Sequence, residues 1–127
     1  MNNNNGCFFC KCIEKKDFSL ENELAIIRFD DFPVNDGHLE VIPKRHVQDW
    51  WSITKEEKIA IFELIDEAKK IVDNKFHPDG YNIGMNLGVA AGQSVMHLHV
   101  HLIPRYKGDV KNPRGGVRGI IPEKQNY

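Results

Sequence analysis

Three histidines alternate with aliphatic residues in the segment His97-Leu-His-Val-His-Leu-Ile103, and they are half of the six histidines in the chain. Strict alternation with a period of two predicts a β-strand that places His97, His99 and His101 on one face and the aliphatic residues on the other. The exposed polar face of a strand usually carries Lys, Glu or Thr instead. This segment is therefore the first candidate for chemistry in the chain.

Geometry argues against a single metal ion held by all three histidines. On an extended strand the Cα atoms of His97 and His101 lie ~13 Å apart, whereas zinc needs its nitrogen ligands at ~2.1 Å. A neutral imidazole is also a competent nucleophile near pH 7, because its unperturbed pKa of ~6.5 leaves a lone pair free. His99, the central histidine, is the natural candidate to attack phosphorus and form a phosphoramidate that water can later split.

A glycine-rich segment, Asn86-Leu-Gly-Val-Ala-Ala-Gly-Gln-Ser94, directly precedes the histidines. Its glycines allow backbone N–H groups to approach a phosphate closely. The side chains of Asn86, Gln93 and Ser94 add donors without fixed charge. Such a segment alone would predict only a turn, but next to three aligned histidines it predicts a phosphate site.

These residues resemble the signature of the histidine triad (HIT) family. The matching segment is Gly92-Gln-Ser-Val-x-His-x-His-x-His-Leu-Ile-Pro-Arg105, followed by Arg105-Tyr-Lys-Gly-Asp109. Two upstream blocks, Asp30-x-x-Pro33 and Gly37-His38-Leu-x-Val-Ile-Pro-Lys-Arg-His46, resemble another recurrent part of the family. The resemblance covers nearly the whole chain, and it implies that His99 attacks the α-phosphate of a nucleotide and becomes nucleotidylated.

The resemblance also implies roles for the neighbouring polar residues. His101, Gln93 and Ser94 would donate to the phosphate oxygens, and Asn86 would lie at the phosphate pocket. His97 would support the site by orienting its neighbours or by binding metal.

Asp30 matches the family position that accepts hydrogen bonds from the ribose hydroxyls. The residues alone favour a turn-forming aspartate beside Pro33, and a shift of one position would transfer the role to Asp31. His38 matches a histidine next to the triad, and we expect it to support the site from behind.

Cys7-Phe-Phe-Cys10 supplies half of a tetrahedral metal site. His46 and His97 could complete a Cys₂His₂ set, an arrangement that the resemblance implies because several HIT members use the first histidine of the triad as a ligand. The bound Zn²⁺ would then be structural and would tie the N-terminus to the active strand. The alternative is a pair of reduced, buried thiols.

The remaining sequence predicts a single α+β domain over residues 1–127, built on an antiparallel sheet of about five strands with one long and one short helix. Residues 1–6 are predicted to be a disordered lead-in and residues 108–127 an irregular arm. The resemblance implies a dimer in which two sheets join side by side. The predicted strands are Leu24–Phe29, His38–Ile42, Tyr81–Met85 and Val95–Ile103; the long helix follows Thr54-Lys-Glu-Glu57 to about Asn74, and the short helical turn spans Val47–Ile53.

Composition excludes several classes of function. A formal net charge of −1 gives no electrostatic footprint for a nucleic acid polymer. No apolar run reaches the ~18 residues of a membrane span. The N-terminus lacks the features of a signal peptide, and three cysteines fit a reducing compartment, so we expect a cytoplasmic protein.

The leading hypothesis is a hydrolase or transferase acting on dinucleoside polyphosphates. The Pro104-Arg105-x-x-Gly-Asp109 continuation resembles the Fhit and bacterial diadenosine polyphosphate hydrolase side of the family more than the Hint side, and the tail has no tryptophan. A Hint-like nucleoside phosphoramidase is the alternative enzyme. A nucleotide-binding regulatory module with little turnover, or a zinc-based structural adaptor, would explain less of the sequence.

Overall fold

The protein, described here over residues 6–127 as a computed structural model, has an α+β fold built on one antiparallel sheet. The predicted lead-in over residues 1–6 lies, except for Gly6, outside the described residues. The strands are β1 (Leu20–Glu21), β2 (Ala25–Phe29), β3 (Leu39–Pro43), β4 (Gly80–Gly84) and β5 (Val100–Arg105), and the α-helices are α1 (Phe8–Glu14) and α2 (Lys55–Phe76). The strand order β1-β2-β3-β5-β4 leaves β1 and β4 at the edges. The predicted fold class is confirmed.

Helix α2 forms where the sequence predicts it. The Thr54 hydroxyl accepts from the backbone N–H of Glu57, and the Glu57 carboxylate accepts from the backbone N–H of Thr54, which completes a capping box. One side of α2 packs on a face of the sheet, and its buried apolar residues are Ala60, Ile61, Leu64, Ala68 and Val72. Although α2 is 22 residues long, no helix among residues 6–127 is long and apolar enough to cross a membrane.

Helix α1 covers part of the other face, and the sequence does not predict it. It has only seven residues, begins at the Cys7 N-cap, and buries Phe9 against Ile26 and Ile42. A helix this short is too brief to show periodicity and depends on tertiary packing for its stability. The short helical turn predicted over residues 47–53 is a 3₁₀ turn at Trp50–Ser52, so α1 is the only short α-helix among residues 6–127.

The strand predicted over Val95–Ile103 begins only at Val100, so His97 and His99 precede it. The ladder with β3 runs from Leu39–Leu102 to Val41–Val100 and then stops. Two backbone carbonyls near this point bind imidazoles instead: Pro43 O contacts His97 Nε2 and His97 O contacts His99 Nδ1, each at 2.8 Å. The side chains nevertheless alternate between the two faces through this segment, because Leu98, Val100 and Leu102 all pack in the core beneath α2.

The C-terminal arm, predicted to be irregular, contains two 3₁₀ turns, Gly116–Ile120 and Pro122–Lys124. Its start is held to the sheet because the Arg105 guanidinium donates to both oxygens of Asp109. Its end is held by Arg118, which donates to the carbonyls of Lys124 and Gln125. The arm is therefore folded by its own contacts.

We expect Gly115→Ala to loosen this arm. Gly115 has φ +92°, and a Cβ there would collide with the carbonyl oxygen of Gln125. Strain of about 1–3 kcal/mol should raise the rate of tryptic cleavage within residues 111–124 about tenfold. Gly108→Ala is the matched control, because Gly108 has φ +84° but open space around the added Cβ. Equal cleavage of both variants would contradict the role of the Gln125 contact.

Candidate functional site

His99 lies at the centre of the candidate site with one ring nitrogen fixed. Its Nδ1 lies 2.8 Å from the carbonyl oxygen of His97, and because a carbonyl only accepts, Nδ1 carries the hydrogen. The lone pair of the neutral ring is then on Nε2. The ring packs against Phe9 of α1, with centroids 4.8 Å apart, and against His101 at 5.0 Å. Burial lowers the pKa of His99 below its ordinary value, which favours this neutral form.

His101 and His38 form a second chain of hydrogen bonds with a defined direction. The backbone N–H of Val34 donates to His38 Nδ1 at 3.1 Å, so His38 carries its hydrogen on Nε2 and donates to His101 Nδ1 at 2.9 Å. His101 therefore carries its own hydrogen on Nε2. Burial, with the rings of His99 and His38 beside it, lowers the pKa of His101 to about 4. The triad thus provides one lone pair, on His99, and one N–H donor, on His101.

Asp30 reaches the same cluster from the end of β2. One of its oxygens accepts from the backbone N–H of Phe32 at 2.8 Å, and the other lies 3.6 Å from His38 Nε2 and 3.9 Å from His101 Nδ1. Burial alone would raise the pKa of Asp30, but these contacts, together with Glu40, lower it, so Asp30 is a carboxylate. Asp31, the alternative by one position, instead binds Arg28 through both oxygens.

Glu40 is a site residue that sequence reasoning missed. It lies on β3 directly opposite His101 on β5, and its side chain is buried with 5% of its surface exposed. One of its oxygens lies within 4.8 Å of a ring nitrogen of His99 and of His101. The signal available in the sequence was a single acidic residue within the aliphatic run Leu39-Glu-Val-Ile-Pro43.

The glycine-rich segment forms a loop that Gln93 holds together. Its amide nitrogen donates to the carbonyls of Gln48 and Val95, and its amide oxygen accepts from the backbone N–H of Gly88. Both amide hydrogens are therefore committed within the protein, and Gln93 orders the loop rather than offering a donor to a ligand. Ser94 is exposed and Asn86 lies on the loop near Gly92, so these two side chains can face a ligand.

Cys7, Cys10, His46 and His97 come together on one side of the triad, with their ligand atoms all within 4.8 Å of one another. His46 Nδ1 lies 3.2 Å from His97 Nδ1, and three of the four sulfur–nitrogen pairs lie 3.3–3.4 Å apart. A tetrahedral zinc ion with ordinary bond lengths would set its ligands about 3.3 Å apart for two nitrogens and about 3.6 Å for nitrogen and sulfur. The four side chains therefore fit one zinc ion.

The hydrogen bond made by His97 Nε2 also agrees with a ligand role for His97 Nδ1. His97 Nε2 lies 2.8 Å from the carbonyl oxygen of Pro43, so it carries the hydrogen and Nδ1 presents its lone pair to the cysteines and His46. Burial lowers the pKa of His97 to about 4, which keeps that lone pair available. Histidine ligands of metals commonly donate their other N–H in this way.

Comparison with known proteins agrees with this geometry. A family model described as the HIT domain matches residues 13–108. A solved structure of a HIT family protein from Bacillus anthracis superposes with a TM-score of 0.77 at 37% identity, covering 83% of this chain and 77% of that one. A zinc-bound histidine triad family protein from Mycobacterium smegmatis superposes with a TM-score of 0.74 at 31% identity, covering 82% and 78%.

One similar protein has a named activity. The chain is 40% identical over 79 residues to AP-4-A phosphorylase from Mycobacterium tuberculosis. That match covers 61% of this chain but only 40% of the phosphorylase.

The hydrogen bonds of the triad make a prediction about tautomers. We expect ¹⁵N–¹H correlation spectra of the histidine side chains at pH 7 to show His99 protonated on Nδ1 and His101 on Nε2. The His38→Phe variant should convert His101 to a mixture of both tautomers and leave His99 unchanged, because only His101 loses a donor. A His101 ring protonated on Nδ1 in the unaltered protein would contradict the assigned direction of the His38–His101 hydrogen bond.

Proposed function

Because this chain belongs to the HIT domain family, we propose that it binds nucleotides and cleaves them at the α-phosphate through a nucleotidyl intermediate on His99. The observation that carries the proposal is the 2.8 Å hydrogen bond between His99 Nδ1 and the His97 carbonyl oxygen. This bond assigns the lone pair to Nε2 and fixes the ring, so the nucleophile needs no separate base.

The reaction divides one displacement into two. In the first step the His99 Nε2–phosphorus bond forms, the bond from phosphorus to the leaving oxygen breaks, and that oxygen departs with the electron pair. In the second step water attacks phosphorus and loses a proton to solvent, the phosphorus–nitrogen bond breaks with its electron pair returning to Nε2, and the nucleoside monophosphate leaves. The His101 Nε2–H donates to a phosphoryl oxygen, where it stabilises the negative charge that develops in both transition states.

The other side chains bind and orient the nucleotide. Asp30, an ionised acceptor beside His38 and His101, binds the ribose hydroxyls. Ser94 and Asn86 donate to the phosphates from the loop that Gln93 orders.

We propose dinucleoside polyphosphates as the substrate class, which assigns the chain to the Fhit and diadenosine polyphosphate hydrolase side of the family. The similarity to AP-4-A phosphorylase supports this choice. The chemistry supports it as well, because a nucleotide leaving group departs as a stable anion, whereas an amine must first be protonated.

We propose that Cys7, Cys10, His46 and His97 hold one structural zinc ion. The site would join helix α1 to the segment that carries the triad, because the two cysteines lie at the start of α1 and His97 lies two residues before His99. A site with two reduced cysteines suits a reducing compartment, and we propose the cytoplasm as the location.

We also propose that the protein acts as a homodimer. Strand β4 is an open edge of the sheet, and Ile83 on it is half-exposed. An unpaired edge strand with an exposed aliphatic side chain is suited to pairing with a second copy.

Replacing the nucleophile tests the mechanism. We expect His99→Ala to lower turnover of diadenosine tetraphosphate at least about 1,000-fold while AMP still binds, because the ribose and phosphate contacts remain. Acid quenching of the unaltered protein during turnover should trap a nucleotide covalently bound to His99. The control is His77→Asn, an exposed histidine at the end of α2, which should keep full activity. Turnover by His99→Ala close to that of the unaltered protein would refute the covalent mechanism.

Removal of a ligand tests the metal site. Protein purified with zinc and a thiol reductant should contain about one zinc ion per chain. Cys10→Ser and His97→Ala should lose zinc and lower the Tm together, because the energy of binding to a folded site contributes to folding. Cys12→Ala is the matched control, since Cys12 is a buried cysteine of α1 outside the cluster, and it should keep its zinc. Absence of zinc from the unaltered protein, or loss of zinc from Cys12→Ala, would reject this site.

A further inference from the structure

Glu40 is a buried acid that the mechanism above does not use. Every residue of β3 is buried, and Glu40 is the one charged residue in the strand. Across the sheet it is paired with Arg28 on β2 and with His101 on β5. Burial of an unpaired carboxylate is costly, so the surroundings of Glu40 must either neutralise its charge or keep it protonated.

Arg28 forms no ion pair with Glu40, because its guanidinium group is already occupied, and its positive charge only partly offsets the effect of burial on the pKa of Glu40. One terminal nitrogen donates to both oxygens of Asp31 and to Asp17, and the other nitrogens donate to backbone carbonyls. The carboxyl groups of Glu40 and Asp30 instead both lie next to His101, with Asp30 3.9 Å from its Nδ1 and Glu40 within 4.8 Å of a ring nitrogen.

When two carboxyl groups lie close together, ionisation of one opposes ionisation of the other, and the surroundings of this pair favour the proton on Glu40. Asp30 accepts from the Phe32 N–H and lies 3.6 Å from the Nε2–H of His38, and both groups stabilise its negative charge. Within residues 6–127, Glu40 has no comparable backbone N–H donor. Burial, with Asp30 next to it, raises the pKa of Glu40 to about 8, whereas the pKa of Asp30 lies below its ordinary value.

We propose that Glu40 is a positioning residue of the nucleotide site, which keeps its proton at neutral pH and donates it to Asp30, so that the Asp30 carboxylate is held ready for the ribose hydroxyls. This inference rests on the proposed function, because it assigns Asp30 to the ribose. It adds a residue that neither the triad nor the phosphate loop contains.

Alkaline pH removes the proton from Glu40 and changes the position of Asp30. When Glu40 loses its proton, two carboxylates face each other without a donor between them, and Asp30 is repelled from its position. The other charged or titratable groups that face Glu40 do not replace the lost proton. Those groups are Cys12 on α1, Arg28 on β2 with Asp31 just after it, His99 just before β5 and His101 on β5. Binding that requires one proton should weaken about tenfold per pH unit above the pKa of Glu40.

The test compares AMP with 2′-deoxy-AMP by calorimetry between pH 7 and 9.5. The unaltered protein should bind AMP more tightly than its deoxy counterpart, with an affinity that falls above pH 8. Glu40→Gln keeps a donor for Asp30 but cannot lose a proton, so it should retain the ribose preference and show no alkaline fall. Glu40→Leu keeps the bulk without a donor, and its ribose preference should shrink about tenfold at every pH. Glu67→Gln, on the exposed face of α2, is the control and should behave as the unaltered protein.

Infrared spectroscopy of the protein without nucleotide provides an independent measurement. We expect a protonated carboxyl C=O band at pH 7 that disappears on titration through pH 8 and is missing from Glu40→Gln. The inference is overturned if this band is absent, or if Glu40→Gln retains the alkaline fall in affinity. If the band is present but the unaltered protein binds no AMP at pH 7, the proposed nucleotide site fails, and the positioning role fails with it while the buried proton remains.

Discussion

Each histidine of the triad has one ring nitrogen hydrogen-bonded inside the protein, and that hydrogen bond decides what its other nitrogen can do. His97 donates to the Pro43 carbonyl and turns its lone pair toward the cysteines. His99 donates to the carbonyl of His97 and keeps its lone pair on Nε2. His101 accepts from His38 and keeps an N–H. The three histidines therefore differ in what they present: His97 a lone pair to the cysteines, His99 a lone pair on Nε2, and His101 an N–H.

The same hydrogen bonds explain why the sheet ends where it does. The carbonyls of Pro43 and His97 bind imidazoles, and the ladder between β3 and β5 stops at Val41–Val100. Ending the ladder there frees the segment around His97 to turn toward helix α1. Phe9 of that helix packs on both His97 and His99, so one short helix supports the Cys/His cluster and the central histidine of the triad together.

Two acidic groups lie beside the triad, and their surroundings shift their pKa values in opposite directions. Asp30 remains ionised because backbone and imidazole groups surround it, whereas Glu40, on the neighbouring strand, is buried without comparable donors and has a raised pKa. Two carboxyl groups in contact therefore hold different protonation states. This arrangement allows an anionic acceptor to lie beside neutral histidines without a net charge of −2 in a buried place.

The sequence by itself determined the main elements and the identity of the triad. Period-two alternation through residues 97–103, the capping box at Thr54 and the glycine-rich loop are local signals, and all of them depend on residues close together in the chain. The grouping of Cys7, Cys10, His46 and His97 also followed from motifs, because their spacing matched a family pattern. These features required no knowledge of how the strands pair.

Tertiary structure alone decided the rest. Helix α1 is stabilised by the packing of Phe9 on Ile26 and Ile42 of the sheet. A pattern within seven residues cannot predict this contact. The start of β5 at Val100, rather than Val95, depends on imidazole–carbonyl bonds between residues 54 positions apart. The role of Gln93 as a loop organiser depends on its bond to the distant carbonyl of Gln48. Glu40 gained its importance only when strand pairing set it between Arg28 and His101, because the protonation state of a buried acid is fixed by its neighbours in space and not by its neighbours in sequence.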